Sequence, residues 1–195
     1  MEKKIFDFIS KYMTLSEEEQ RALAGLGVFR NYKKGTVLLQ AGEISCDSYF
    51  VLEGCIRCYY LIDGEERTTD FFTESESYSP PCVVNKRPSE LYVSCVEDSI
   101  ISMGNGNPEM ERELFEKFPR FEMLCRTVSE ELLAQNQASF ADFKTSTPEQ
   151  RYLKLLKSKP DLLQRVPQYQ LASYLGITPE SLSRIRKRLA KPSKD

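Results

Sequence analysis

The side chains best placed to do chemistry lie near the end of the chain, where Arg184, Arg186, Lys187, Arg188 and Lys191 fall close together. Fixed cations of this kind bind polyanions, by charge and by paired N–H donors. On a helix, Ser181, Arg184, Lys187 and Arg188 would share one face, because positions three and four apart stack on the same side. From such a face an arginine can make a two-pronged contact to guanine, and a glutamate can accept from cytosine. The charge distribution agrees. Residues 145–195 hold 11 Lys/Arg against 4 Asp/Glu, a local charge of +7, whereas residues 1–144 hold 16 against 25, or −9. The net charge of −2 conceals that split. A basic segment on an acidic body points to a polyanion-binding unit attached to one with another task.

Other chemistry is sparse. There is no histidine, which removes histidine-based triads, histidine-ligated zinc and the usual non-haem iron sites. The six cysteines are Cys46, Cys55, Cys58, Cys82, Cys95 and Cys125. Cys55 and Cys58 have a redox or metal spacing, but they fall in Gly54–Ile62, which reads as a strand. There i and i+3 point to opposite faces, so the two thiols would not converge. Buried cysteines packing as small hydrophobes are the expectation, with no metal and no cofactor.

The cations need a helix to present them, and Gln168–Ala190 supplies it. Leu171, Leu175, Ile177, Leu182, Ile185 and Leu189 are spaced as the inward positions of two short helices, and Ala172 is small where they would cross. Gly176 stands where the first helix must stop. Thr178-Pro179-Glu180 restarts helix with a capping hydroxyl, a first-turn proline and an acid on the positive end of the dipole. This is a helix-turn-helix with a basic second helix, a shape that enters a DNA major groove. In that role Gln168 and Thr178 would hold phosphate. Glu180, Ser181 and Arg184 would face base edges. Arg186, Lys187, Arg188 and Lys191 would neutralise phosphates.

The rest of the chain must carry this unit. Its 195 residues allow one large domain or two small ones. No apolar run approaches the roughly 18–20 residues that span a bilayer, and the N-terminus has no signal-peptide core, so a cytoplasmic protein is expected. Ile5, Phe6, Ile9 and Tyr12 recur at helical spacing. Ser16–Glu19 forms a capping box for a second helix to about Leu26, with Leu23 and Leu26 inward.

From Arg30 to Met103 the texture becomes β. Runs at 36–39, 48–52, 55–62, 67–72, 91–95 and 99–103 are separated by turn signals, of which Asp63-Gly64 marks a hairpin. Many short strands imply an antiparallel sandwich or barrel. Pro119 then opens a long helix to about Phe143. Phe121, Cys125, Val128, Leu132, Gln135 and Ser139 step by 4, 3, 4, 3 and 4 along it, a heptad seam read here as a dimerisation face. Thr147-Pro148-Glu149-Gln150 caps the next helix.

A glycine-punctuated β-domain, a long helix and a C-terminal helix-turn-helix together resemble the Crp/Fnr superfamily of transcription regulators. Gly35, Gly42 and Gly54 match the turn glycines of its cyclic-nucleotide-binding β-roll, and Gln168–Leu189 matches its helix-turn-helix. Glu180 and Arg184 of its recognition pattern are present, with Pro179 where an arginine is common. The resemblance implies an α+β fold. A double-stranded β-roll unit with N-terminal helices would span residues 1–118, a dimerisation helix 119–144, and a DNA-binding domain 145–195. It implies a homodimer, not an enzyme, that binds double-stranded DNA and acts on RNA polymerase.

The family's cyclic-AMP binders carry a Gly-Glu pair and an Arg-Ser or Arg-Thr pair. Here no Gly-Glu appears in Thr73–Cys82, and Ser89-Glu90 stands near the second pair, where a carboxylate would repel phosphate. No cyclic-AMP binding is therefore expected. Tyr78, Arg87 and Tyr92 are the candidates for an unidentified small-molecule effector. The chain stops soon after the second motif helix, so no wing hairpin is expected. Two other classes fit parts of the pattern: a regulatory protein whose helix-turn-helix binds protein, and a cupin-like β-barrel enzyme, which the lack of histidine disfavours.

Overall fold

The computed structural model describes residues 2–25, 29–45, 47–104 and 108–189. Leu26, Cys46, Lys191 and the rest of the tail, where no wing hairpin is expected, lie outside them. Two helices open the chain, α1 (Glu2–Ile9) and α2 (Glu17–Gly25). The expected capping box is present: the Glu19 N–H donates to Ser16 Oγ at 3.2 Å and the Ser16 N–H to Glu19 Oε2 at 2.7 Å.

Eight strands follow: β1 (Phe29–Tyr32), β2 (Val37–Leu39), β3 (Tyr49–Glu53), β4 (Ile56–Ile62), β5 (Glu65–Phe72), β6 (Ser77–Tyr78), β7 (Tyr92–Cys95) and β8 (Ser99–Met103). They form two four-stranded antiparallel sheets, ordered β1-β8-β3-β6 and β2-β7-β4-β5. Leu39, Tyr49, Val51, Ile56, Cys58, Val93 and Ile101 fill the roll interior. Two strands, β1 and β6, went unread in the sequence. So did two helices, α3 (Pro81–Asn85) between β6 and β7, and α7 below.

The turns are set by backbone conformation. Asp63 and Gly64 have φ of 52° and 80° and join directly paired Ile62 and Glu65, the two-residue hairpin whose twist suits flanking strands. Gly54 joins β3 to β4 at φ 97°, and a Cβ there would lie 2.7 Å from Ser99 Cβ and 2.8 Å from the Asp98 carbonyl oxygen. No larger residue fits that turn.

Helix α4 (Pro108–Lys117) leads into the 27-residue α5 (Pro119–Thr145), which has Pro119 in its first turn as expected. Four helices follow: α6 (Pro148–Ser158), α7 (Leu162–Arg165), α8 (Gln168–Tyr174) and α9 (Pro179–Leu189). The capping box of α6 is present in full, Gln150 N–H to Thr147 Oγ1 and Thr147 N–H to Gln150 Oε1.

Helices α6 to α9 pack against β5, the edge strand of the β2-β7-β4-β5 sheet. Cys55, Phe71 and Val96 from the roll join Tyr152, Leu155, Leu162, Val166, Leu171, Ala172, Leu175, Leu182 and Ile185 in one buried cluster. Cys55 thus belongs to this cluster and Cys58 to the roll interior, so the two thiols do face opposite ways. Burial pushes Cys55 up to about 12 and Cys58 well above its ordinary value.

Along α5 only the first part of the heptad seam is anchored. Phe121 is buried, whereas Cys125 is exposed. Val128, Leu132, Gln135 and Ser139 line a cleft of about 1070 Å³ between α5 and β5, α6 and α8 of the same chain. The large exposed apolar side chains of α5 are Met123, Leu133, Phe140 and Phe143. No described helix is long and apolar enough to cross a membrane.

Candidate nucleic-acid interface

The turn between α8 and α9 is built from two backbone bonds and one cap. The Gly176 N–H donates to Ser173 O and the Ile177 N–H to Ala172 O, both at 3.0 Å, with Gly176 at φ 71°. This is the Schellman arrangement, which satisfies carbonyls that the helix end leaves open. Two residues later Thr178 Oγ1 accepts from the Ser181 N–H at 3.3 Å and sits 3.2 Å from Ser181 Oγ. Pro179 follows in the first turn of α9. Leu171, Ala172, Leu175, Leu182 and Ile185 are buried, as their spacing required, and Ile177 packs partly against them. Leu189 is a correction: it is 39% exposed, because the last turn of α9 runs past the edge of the core.

Glu180, Arg184, Arg186, Lys187 and Arg188 are exposed and Ser181 is half-buried. At about 100° per residue, Glu180, Ser181, Arg184, Lys187 and Arg188 lie on one side of α9, while Arg186 lies about 200° from Arg184. Arg184 Nη2 donates to Ser181 Oγ at 3.3 Å. Glu180 is held below the usual carboxylate range, first by its own backbone N–H and then by Thr178, with Arg184 adding to the effect. The first turn therefore presents an ionised acid beside an arginine. Gln168 is exposed at the start of α8, and the Thr178 hydroxyl, expected on phosphate, is engaged in the cap. Arg188 is ion-paired with Glu149 of α6.

Four residues that anchor this unit have no such role in the sequence reading. Arg151 of α6 donates from Nε and Nη2 to Leu175 O at 3.1 and 2.8 Å, and from Nη1 to Ser146 O at 2.7 Å and Phe143 O at 3.2 Å. Its guanidinium also lies 4.4 Å over the Phe143 ring. Arg165 of α7 reaches the roll, with Nη2 2.7 Å from Glu74 Oε1 and Nε 2.9 Å from Glu97 Oε1, and donates to Gly54 O. Lys159 bonds Glu76 and the Phe71 carbonyl. Ser173 of α8 accepts from the Thr68 N–H of β5 and donates to Glu66 O. The only sequence signal was that each lies in residues 145–195, the basic segment read as the DNA-binding domain.

The three candidate effector residues are not brought together. Tyr78 stacks on Phe72 at 4.7 Å against the roll interior. Tyr92 stacks on Tyr59 at 5.1 Å, and Tyr59 lies under the Arg57 guanidinium at 4.0 Å. Arg57, Tyr59 and Tyr92 thus lie together on the face opposite the interior residues Ile56 and Cys58, since neighbouring strand positions alternate. Arg87 is exposed on the loop after α3.

Pro80 and Pro81 open α3, so two N–H groups that a helix start would aim at an anion are missing. Ser89 is buried, its Oγ donating to Leu91 O and accepting the Leu91 N–H. Glu90 is exposed beside it.

Residues 29–104 match the family profile described as the cyclic nucleotide-binding domain. No curated protein matches the sequence significantly. Several solved structures match the fold across most of the chain. The c-di-GMP responsive global regulator CLP of Xanthomonas campestris has a TM-score of 0.63 at 17% identity, with 87% of this chain and 90% of that one covered. A CooA variant from Carboxydothermus hydrogenoformans gives 0.63 at 15% identity, with 85% and 78% covered. FixK2 from Bradyrhizobium japonicum gives 0.59 at 16% identity, with 83% of each covered.

Proposed function

We propose, for a chain whose residues 29–104 match the cyclic nucleotide-binding domain family and whose overall fold is that of the Crp/Fnr superfamily, a DNA-binding transcription regulator. The observation that carries this reading is the α8–α9 unit. A Schellman stop, a capped restart and a closed apolar core leave Glu180, Arg184, Lys187 and Arg188 exposed together on α9. A rigid helix with an acid and three cations on one side suits a major groove, with Glu180 and Arg184 at base edges and Lys187 and Arg188 at phosphates.

In this reading residues 1–118 are an effector-type unit, 119–144 the dimerisation helix and 145–195 the DNA-binding unit. Two chains joined along α5 present two recognition helices about 34 Å apart, one turn of DNA. The exposed Met123, Leu133 and Phe140 supply apolar surface for that contact. RNA polymerase is the downstream partner. The roll does not bind cyclic AMP: Pro80, Pro81 and the self-bonded Ser89 support this, as does Glu90, whose charge opposes a phosphate. The effector class stays open, because Tyr78, Arg87 and Tyr92 do not converge. Selection of bound sequences from a random duplex pool tests the proposal. Enrichment of a two-fold symmetric motif is expected, and a pool that stays random overturns it.

A further inference from the structure

We propose that Glu149, outside the helix-turn-helix, sets the DNA affinity of α9 by competing with phosphate for Arg188. This deepens the DNA-binding reading above and rests on it. Glu149 follows Pro148 in the first turn of α6, and its Oε2 pairs with Arg188 Nη2 in the last turn of α9. The acid side chain is 34% exposed and the arginine 63%, so a carboxylate set into the surface holds a guanidinium on the open side. The other cations of α9 differ. Arg184 donates to the Ser181 hydroxyl and lies near the Glu180 carboxylate of its own helix without a salt bridge to it, and among the described residues Arg186 and Lys187 have no ion pair.

Each partner stands where its own helix favours its charge, the acid at a helix start and the cation at a helix end. Neither depends on the other to be placed, and an exposed pair of this kind contributes little to the fold. Its effect on the binding face is larger. Glu180, Arg184, Lys187 and Arg188 sum to +2, and Glu149 beside them lowers that to +1. A phosphate arriving at Arg188 must displace an oxyanion already there. The exchange is close to balanced, so the contact adds little affinity and releases fewer counterions than a free arginine would.

The test uses the full chain and a 30-base-pair duplex of arbitrary sequence, since phosphate contacts need no operator. Four proteins form a cycle: wild type, Glu149→Gln, Arg188→Gln and the double variant. Glu149→Gln should tighten binding about 3–10-fold near 0.1 M salt and steepen the slope of log K against log salt by about 0.9. Arg188→Gln should weaken binding in both backgrounds, more in Glu149→Gln than in wild type, so that the double variant binds no more tightly than Arg188→Gln alone. Unchanged or weaker binding by Glu149→Gln overturns the proposal, as does a gain that survives Arg188→Gln. If wild type itself shows no duplex binding at low salt, the DNA-binding reading falls and this proposal with it. If wild type binds and only the expected gain is missing, the reading stands and the role of Glu149 does not.

Discussion

The Arg151 guanidinium donates two hydrogen bonds to the Leu175 carbonyl, 24 residues away at the end of α8, while its third nitrogen bonds Ser146 O and Phe143 O near the end of α5. Helix ends leave carbonyls without partners, and one planar cation here satisfies two such ends at once. The end of the long helix and the turn of the motif are thereby tied to each other through one side chain. Arg151→Ala should cost about 2–3 kcal/mol in urea unfolding, the range for hydrogen bonds to a charged group. Arg151→Lys should recover little, because an ammonium lacks the forked geometry. Full recovery by lysine would show that charge alone matters at this position.

The turn glycines are not equivalent. A Cβ at Gly54 would overlap Ser99 Cβ and the Asp98 carbonyl in a left-handed backbone. At Gly176 the tightest contact would be the Phe143 ring edge at 3.2 Å. Gly54→Ala should therefore destabilise by more than about 3 kcal/mol and Gly176→Ala by about 1–2 kcal/mol. Thermal unfolding of both variants checks the ranking, and a larger loss at Gly176 would reverse it.

Asp70 makes stability depend on pH in an unusual direction. Burial pushes its carboxyl up to about 6, against the Phe71 N–H and Lys159, which favour ionisation. The folded chain then binds the Asp70 proton more tightly than the unfolded chain does. Its contribution to stability is full below about pH 4 and is lost as pH rises through about 6. Asp70→Asn, which mimics the protonated form and keeps an acceptor for Phe71, should be more stable than wild type by about 1–3 kcal/mol at pH 7.5. The difference should vanish near pH 4. Equal stability at pH 7.5 would place the ordinary carboxylate value at this position.

Local features of the fold were legible because they depend on residues a few positions apart. Ser16 with Glu19, Thr147 with Gln150, Asp63-Gly64 and Gly176 each carry their geometry in a short stretch. The segments that escaped are those whose reason is distant. β6 has two residues and exists because Tyr49 and Phe50 of β3 pair with it. Pro80 and Pro81, which open α3, were given no element in the sequence reading. Tyr92 shares the outer face with Tyr59, across from Tyr78, which only the strand register reveals. Arg151 and Arg165 counted as basic surface, yet each spends its charge inside the molecule. The heptad along α5 was visible, but a periodic apolar face does not say what covers it. Its middle lines a cleft over the chain's own β5.

The central claim is that α9 reads DNA through Arg184 and Glu180. It is tested most directly by comparing the sequences selected from random duplex DNA by wild type and by Arg184→Ala, a substitution at an exposed position. Wild type should enrich half-sites about one helical turn apart. Arg184→Ala should still bind, and should lose preference at one base pair per half-site, worth about 1–3 kcal/mol. An unchanged motif from Arg184→Ala, or no motif from wild type, would contradict the account.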